Sequence, residues 1–250
     1  APVVATADPN RQDLGAGLAS PSGDHYLGAD QLGRDTWSRL VYGGRISLGA
    51  GLGATLVGVA VGVVLGLVSG YASGKVDLVI QRGMDAIMAL PPLILIMVLG
   101  QTLDQNFRNM VLAIAIFVAP GASRVVRSAT LTLKEMPYVD AARSLGATPN
   151  RILFMHILPN TFAPVIVIAS ITVGSVILIE AALGYLGLSA RMPTATWGNM
   201  LNSGAQQYME TSPILAMAPG LAIALTVFSI NLFGDGLRDV LDPRLRGKGH

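Results

Sequence analysis

The sequence predicts an all-α membrane protein that crosses the bilayer five times, and three observations carry that expectation. Hydrophobic residues make up 52% of the 250, charged residues only 13%, and 29 positions are glycine. That balance is far from an ordinary soluble domain. Residues 46–74 run for 29 positions without a charge, enough to cross a hydrocarbon core of about 30 Å with length left for tilt. Finally, the polar residues are gathered into short passages between such runs.

The same composition excludes several function classes. A formal net charge of +2 points to no nucleic-acid partner. There is no cysteine, hence no disulfide framework and no thiolate metal site. His25, His156 and His250 lie far apart, and no HExxH occurs, so no metal site is expected. Gly74-Lys75 lacks the rest of a phosphate loop, with Ser69 where glycine is required and Val76 where Ser or Thr is required. No residue is placed to do covalent chemistry.

Residues 1–45 are polar, rich in Pro and Gly, and read as an external segment without a charged-then-apolar leader or an initiating Met. Asp30, Arg34 and Asp35 read as a solvated loop with local ion pairs, each worth little. The first span is 46–74. Within it Gly58, Gly62, Gly66 and Gly70 recur every four residues and form a slowly winding smooth stripe. Such a stripe lets another helix approach closely in lipid, a reading favoured here over simple flexibility. A short polar connection, 75–85, leads to a second span at 86–103, where Pro91-Pro92 predicts a kink. That kink either faces a pathway or serves packing. After a polar turn at 101–109, a third span at 110–130 carries Arg124 and Arg127 near its end, expected to sit at the interface.

The passage 135–159, EMPYVDAARSLGATPNRILFMHILP, is the most sharply punctuated in the chain. Pro137 suits the first turn of a helix and Gly146 the left-handed position just past its end. Between them lies a helix of about nine residues, roughly 13 Å long. Tyr138, Ala141, Ala142 and Leu145 share one narrow apolar face, with Asp140, Arg143 and Ser144 on the other side. Thr148 then caps a second helix that begins at Pro149. A helix this short needs a partner surface. From pattern alone that surface is equally its own protein or a separate one.

The fourth span is 160–183, with Pro164 near its start and Glu180 near its end. Glu180 lines a pathway or sits in the far interface. Residues 191–211 form a polar loop in which Trp197 and Tyr208 read as interface anchors. The last span, 212–234, leads into the tail 235–250. Lys and Arg number two in 75–85, five in 124–160 and four in 235–250, against one each in 104–109 and 180–211. That asymmetry places 135–159 and the tail in the cytoplasm and the N-terminal segment outside. Arg34, Arg39 and Arg45 crowd the membrane end of that segment, a conflict removed if an upstream helix sets the orientation.

Asp140-Ala141-Ala142, three residues, Gly146, nine residues, then His156-Ile157-Leu158-Pro159 resembles the cytoplasmic EAA loop of bacterial ABC importer permeases. Asp140 stands where Glu is usual and His156 where Ile is common. DHYLGADQLGRDTWSRLVYGGRIS at 24–47, EAALGYLGLS followed by TWGNML, and DVLDPRLRGK in the tail are similar to the dipeptide, oligopeptide and nickel branch of that family. The resemblance implies a type I permease fold with six spans, the first absent here. It implies a non-catalytic subunit of the bacterial inner membrane, paired with a homologous permease subunit. An external substrate-binding protein delivers the solute, and two cytoplasmic ABC ATPases hold the ATP and Mg that drive transport. Tyr138, Asp140, Ala141, Ala142, Arg143, Leu145 and Gly146 would then form the coupling helix that docks on an ATPase. Its stroke would rotate the long spans joined at Arg124–Lys134 and Arg151–Pro159 and open a cavity alternately to each side. Di- or oligopeptides are the expected solutes, with nickel or haem-like ligands carried by similar permeases. A secondary transporter would need ionisable groups near the midplane or an inverted repeat, and neither is visible. A channel or scaffold would not need a capped helix outside the membrane.

Overall fold

The computed structural model describes residues 1–102, 106–189 and 193–241, and among them every regular element is helical. An isolated antiparallel bridge joins Ala29 and Asp35. Four helices are long and apolar enough to cross a membrane: α1 (Thr36–Ala72), α4 (Phe107–Leu133), the run Pro149–Tyr185, and α9 (Ile214–Leu241). A fifth crossing arises if α2 (Gly74–Met88) and α3 (Pro92–Thr102), bent by 90° at the break between them, count as one. The remaining helices are α5 (Pro137–Ser144) and α8 (Trp197–Gln207). Within the run Pro149–Tyr185, one turn of α-helix, α6 (Pro149–Arg151), passes through a π-helical stretch, Ile152–Ile157, into α7 (Leu158–Tyr185).

Several boundaries differ from those read in the sequence. Helix α1 begins at Thr36, ten residues before the expected span, because Arg39 and its neighbours find partners inside the protein. At 37 residues it is about 56 Å long, well beyond the hydrocarbon thickness. The polar connection 75–85 is itself helical and belongs to α2. Pro91-Pro92 ends one helix and starts another instead of kinking a continuous one, since two successive residues without N–H groups interrupt the ladder. Helix α9 continues into the tail as far as Leu241. Leu103 and Asp104, Arg191 and the tail residues Arg244, Arg246 and Lys248 lie outside the described residues.

The chain divides into two compact units. The first comprises Ala1–Gly53, Ile96–Ala113 and Gly174–Ser229. Its N-terminal passage is irregular, apart from a 3-10 turn at Leu14–Ala16, and it carries a buried ionic network. Arg34 Nε donates to Asp30 Oδ2 at 2.7 Å, Arg39 Nε lies 3.5 Å from the same oxygen, and Arg39 also donates to the Pro9 carbonyl at 3.1 Å. Asp35 accepts from the Ser38 backbone N–H (2.8 Å) and Thr6 (3.0 Å) and faces His25 Nδ1 at 3.1 Å. Burial works to raise the Asp35 carboxyl, but hydrogen bonding from Ser38, His25 and Thr6 outweighs it and holds the group below the usual carboxylate range. Asp30, Arg34 and Asp35 are thus buried, not solvated as the sequence implied. Close partners and hydrogen bonds offset the cost of desolvating these charges.

Trp197 is also buried. Its indole N–H donates to the Leu40 carbonyl at 2.9 Å, and it packs with Ala181 and Ile223 instead of anchoring at an interface. The polar loop 191–211 holds α8, started by Thr196, whose hydroxyl accepts the Asn199 N–H at 3.2 Å. Helix α8 lies close against α7 because Gly184 and Gly198 meet there. A Cβ on Gly184 would fall 2.7 Å from the Gly198 Cα.

The second unit comprises Ala54–Leu95, Ile114–Val173 and Ile230 onward. Its central contact is α1 against α4, and the glycine stripe makes it. A Cβ added at Gly58, Gly62, Gly66 or Gly70 would meet the α4 backbone carbonyls of Ala115, Ala119, Ser123 and Arg127 at 2.8, 2.6, 2.5 and 2.9 Å. The four positions are within-chain packing sites. Beyond them a buried cluster of Leu67, Val126, Val139, Ile152 and Ile157 joins α1, α4, α5 and the π-helical stretch.

Candidate functional site

Helix α5 is built as the sequence requires. Pro137 occupies its first turn, and Gly146, at φ +80°, closes its last. The Gly146 N–H reaches the Arg143 carbonyl (3.0 Å) and the Ala147 N–H reaches the Ala142 carbonyl (3.0 Å), the two bonds of a Schellman ending. Thr148 then caps the next turn by accepting the Arg151 N–H at 3.4 Å. Only one of its side chains is buried, Val139 at 0% exposure, which plugs into Leu67, Val126, Ile152 and Ile157. Sequence reasoning passed over this residue. The apolar face read through Tyr138, Ala141, Ala142 and Leu145 left Val139 off it, although Val139 and the half-buried Ala142 are spaced i, i+3.

With Val139 turned inward, the residues of α5 singled out in the sequence are left on the outside except Ala142, which is half-buried on the Val139 side and so drops out of the expected apolar face. Leu145 is 89% exposed and Tyr138 41%, and Ala141 is exposed between them. Asp140 and Arg143 pair with one another at 2.9 Å on the surface. Tyr138 tilts against His156, ring centroids 6.4 Å apart. The structure therefore mounts α5 on its own unit by one buried side chain and presents Ala141, Leu145 and the exposed part of Tyr138, whose hydroxyl accepts from Asn160 at 3.5 Å, to the surroundings. Among the described residues no three His, Asp or Glu side chains come together as a metal would need.

A second feature adjoins this site and was not foreseen. Arg127, next to the anchoring Val126, makes a bidentate pair with Asp77 on α2, Nε to Oδ1 at 2.6 Å and Nη2 to Oδ2 at 2.5 Å. Asp77 also accepts from the Ser69 hydroxyl on α1, which in turn accepts from Gln81 at 2.9 Å. Arg124 pairs with Asp85 at 2.6 Å, and Lys134 donates to Ser73 at 2.6 Å. The two arginines expected at a lipid interface are thus tied to α2. In the other unit Glu180 is fully closed off from solvent and accepts the Ser189 hydroxyl at 2.9 Å.

Comparison with known proteins decides what such a molecule is. Residues 62–247 match the family described as the binding-protein-dependent transport system inner membrane component. This chain belongs to that family. The permease is 42% identical over 247 residues to a probable D,D-dipeptide transport system permease protein of Escherichia coli K12, covering 99% of this chain and 83% of that one. It is 39% identical to a dipeptide transport system permease protein of Alkalihalophilus pseudofirmus, over 92% of this chain and 75% of the relative. It is 45% identical to a glutathione transport system permease protein of Pectobacterium atrosepticum, over 90% and 75%. Among solved structures, the MetNI methionine ABC transporter in an inward-facing conformation superposes with a TM-score of 0.68 at 18% identity, over 82% of this chain and 96% of that chain. An amino acid ABC transporter superposes with a TM-score of 0.59 at 18% identity, over 83% and 94%. The fold is that of ABC importer permeases, and the permease is a non-catalytic transport component of such an importer.

Proposed function

We propose that this permease is one of two homologous subunits forming a peptide path across a bacterial cytoplasmic membrane. An external binding protein delivers a di- or oligopeptide, and two cytoplasmic ATPases, which hold the ATP and Mg, drive its passage. The relatives named above transport dipeptides and glutathione, which supports a short peptide as the solute. The observation that carries the reading is the exposed face of α5, with Leu145 89% and Tyr138 41% exposed on a helix otherwise fixed by Val139. An ATPase that grips this face differently in its open and closed states biases the permease between conformations. One that grips it equally cannot.

The test is co-purification from a strain expressing all subunits, followed by ATP-dependent uptake of a labelled dipeptide into proteoliposomes. The wild-type permease should bring down the ATPases, and Leu145→Asp should release them while its own amount in the membrane stays unchanged. Full retention of the ATPases by Leu145→Asp and by Ala141→Trp would overturn the docking assignment.

A further inference from the structure

Helix α2 is bracketed by two breaks. At its start Ser73 holds φ +55° and ψ −170°, a backbone region that belongs almost entirely to glycine, and Gly74 follows at φ +56°. At its end comes the 90° bend into α3. None of its 15 residues is buried, and of its apolar side chains only Ile80, Met84 and Ile87 are half-buried, so apolar packing alone holds its angle to the rest of the unit weakly. Polar contacts add to it. The bidentate Asp77–Arg127 pair is the most geometrically demanding of them, because a planar guanidinium against a carboxylate fixes orientation as well as distance.

The placement of the partners is what gives this pair a function. On α4, Arg127 follows Val126, the side chain against which Val139 of the docking helix is packed. On α1, Ser69 lies two residues beyond Leu67 of the same cluster and donates to Asp77. Lys134, one residue past the end of α4 and three before the start of α5, holds Ser73 at the first break. A displacement of α5 therefore reaches α2 through one turn of α4, with the apolar plug on one side and the ion pair on the other.

We propose that Asp77 and Arg127 are positioning residues of the transport cycle, a clasp by which a stroke delivered to α5 sets the angle of α2. The proposal rests on the ATP-driven reading above. Neither residue touches solute or nucleotide; they act on the position of α2.

The experiment uses the whole transporter reconstituted with its ATPases and binding protein. It reads peptide imported per ATP hydrolysed for wild type, Asp77→Asn, Arg127→Gln and the charge-exchanged Asp77→Arg/Arg127→Asp. The single variants should assemble in normal amount and hydrolyse ATP, but import at least about tenfold less peptide per ATP; the exchange should recover a substantial part of that ratio. A second readout is the distance between spin labels at Val79→Cys on α2 and Ser128→Cys on α4, both exposed in a chain with no cysteine of its own. It should shift on nucleotide trapping in the otherwise wild-type transporter and stay fixed when Asp77→Asn is added. A ratio unchanged in the single variants, one not recovered by the exchange, or a loss that only tracks assembled amount overturns the clasp. Absence of ATP-dependent uptake by the wild type overturns the transport reading instead.

Discussion

Gly146 shows how much one residue can decide. Its φ of +80° is open to glycine and costly to branched residues, while a Cβ there would meet nothing within 4 Å. Substitution is therefore a pure backbone perturbation. Gly146→Val should cost on the order of 1–2 kcal/mol locally and tilt the end of α5. Substrate-stimulated ATP hydrolysis should be abolished while the subunit remains in the membrane. Gly146→Asn, which tolerates the left-handed region, should retain most of it. Normal stimulation in the valine variant would remove α5 from the coupling path. This residue was legible because punctuation by Pro and Gly is a local signal. Val139 was not, since its burial depends on Leu67 and Val126, which lie 72 and 13 positions away along the chain. Asp30, Arg34 and Asp35 were misread for the same reason: Thr6 reaches Asp35, and Arg39, itself held by the Pro9 carbonyl, reaches Asp30, only in the fold.

Among the elements, the α1–α4 contact is the most exacting. Gly62 has no room, with a Cβ falling 2.6 Å from both the Ala119 carbonyl oxygen and the Ala122 Cβ. Gly62→Leu should force the helices apart and destabilise by roughly 1–3 kcal/mol or more, seen as a lower melting temperature in detergent. Gly121→Ala, on α4 with nothing within 4 Å, should be neutral or stabilising by up to about 1 kcal/mol. Equal melting temperatures for the two variants would show that α1 and α4 do not meet along the stripe. The four-residue glycine period announced this contact but not its partner, because periodicity reports a face and not what covers it. Helix α2 was missed because Lys75, Asp77, Arg82 and Asp85 read as a connection. Two of those charges are taken up by arginines on another helix. Helix α8 was hidden in the same way, its start signal of Thr196 standing among residues that otherwise looked like loop.

For the whole molecule, the apolar runs carried the class, and the placement of Lys and Arg predicts the orientation. The orientation is open to a direct check, since the chain holds no cysteine to confuse a label. Lys75→Cys and Glu135→Cys should react with a membrane-impermeant maleimide only from the cytoplasmic side, and Arg11→Cys and Glu210→Cys only from the outside. Labelling of Glu135→Cys from outside would invert the topology and place α5 out of reach of any ATPase. The family, by contrast, was legible only through motif wording around 135–159 and its flanks, because physical chemistry alone allows the same short helix to be an ordinary loop. The root of the run Pro149–Tyr185 is wound differently from the rest of it. In Ile152–Ile157 the Leu158 N–H reaches back to the Leu153 carbonyl, so the coil there is wound with one surplus residue. Like a wrinkle in a carpet, it takes up one residue more than a regular helix would hold there. Deleting a single residue should iron the wrinkle out and leave an unbroken α-helix from Pro149 to Tyr185.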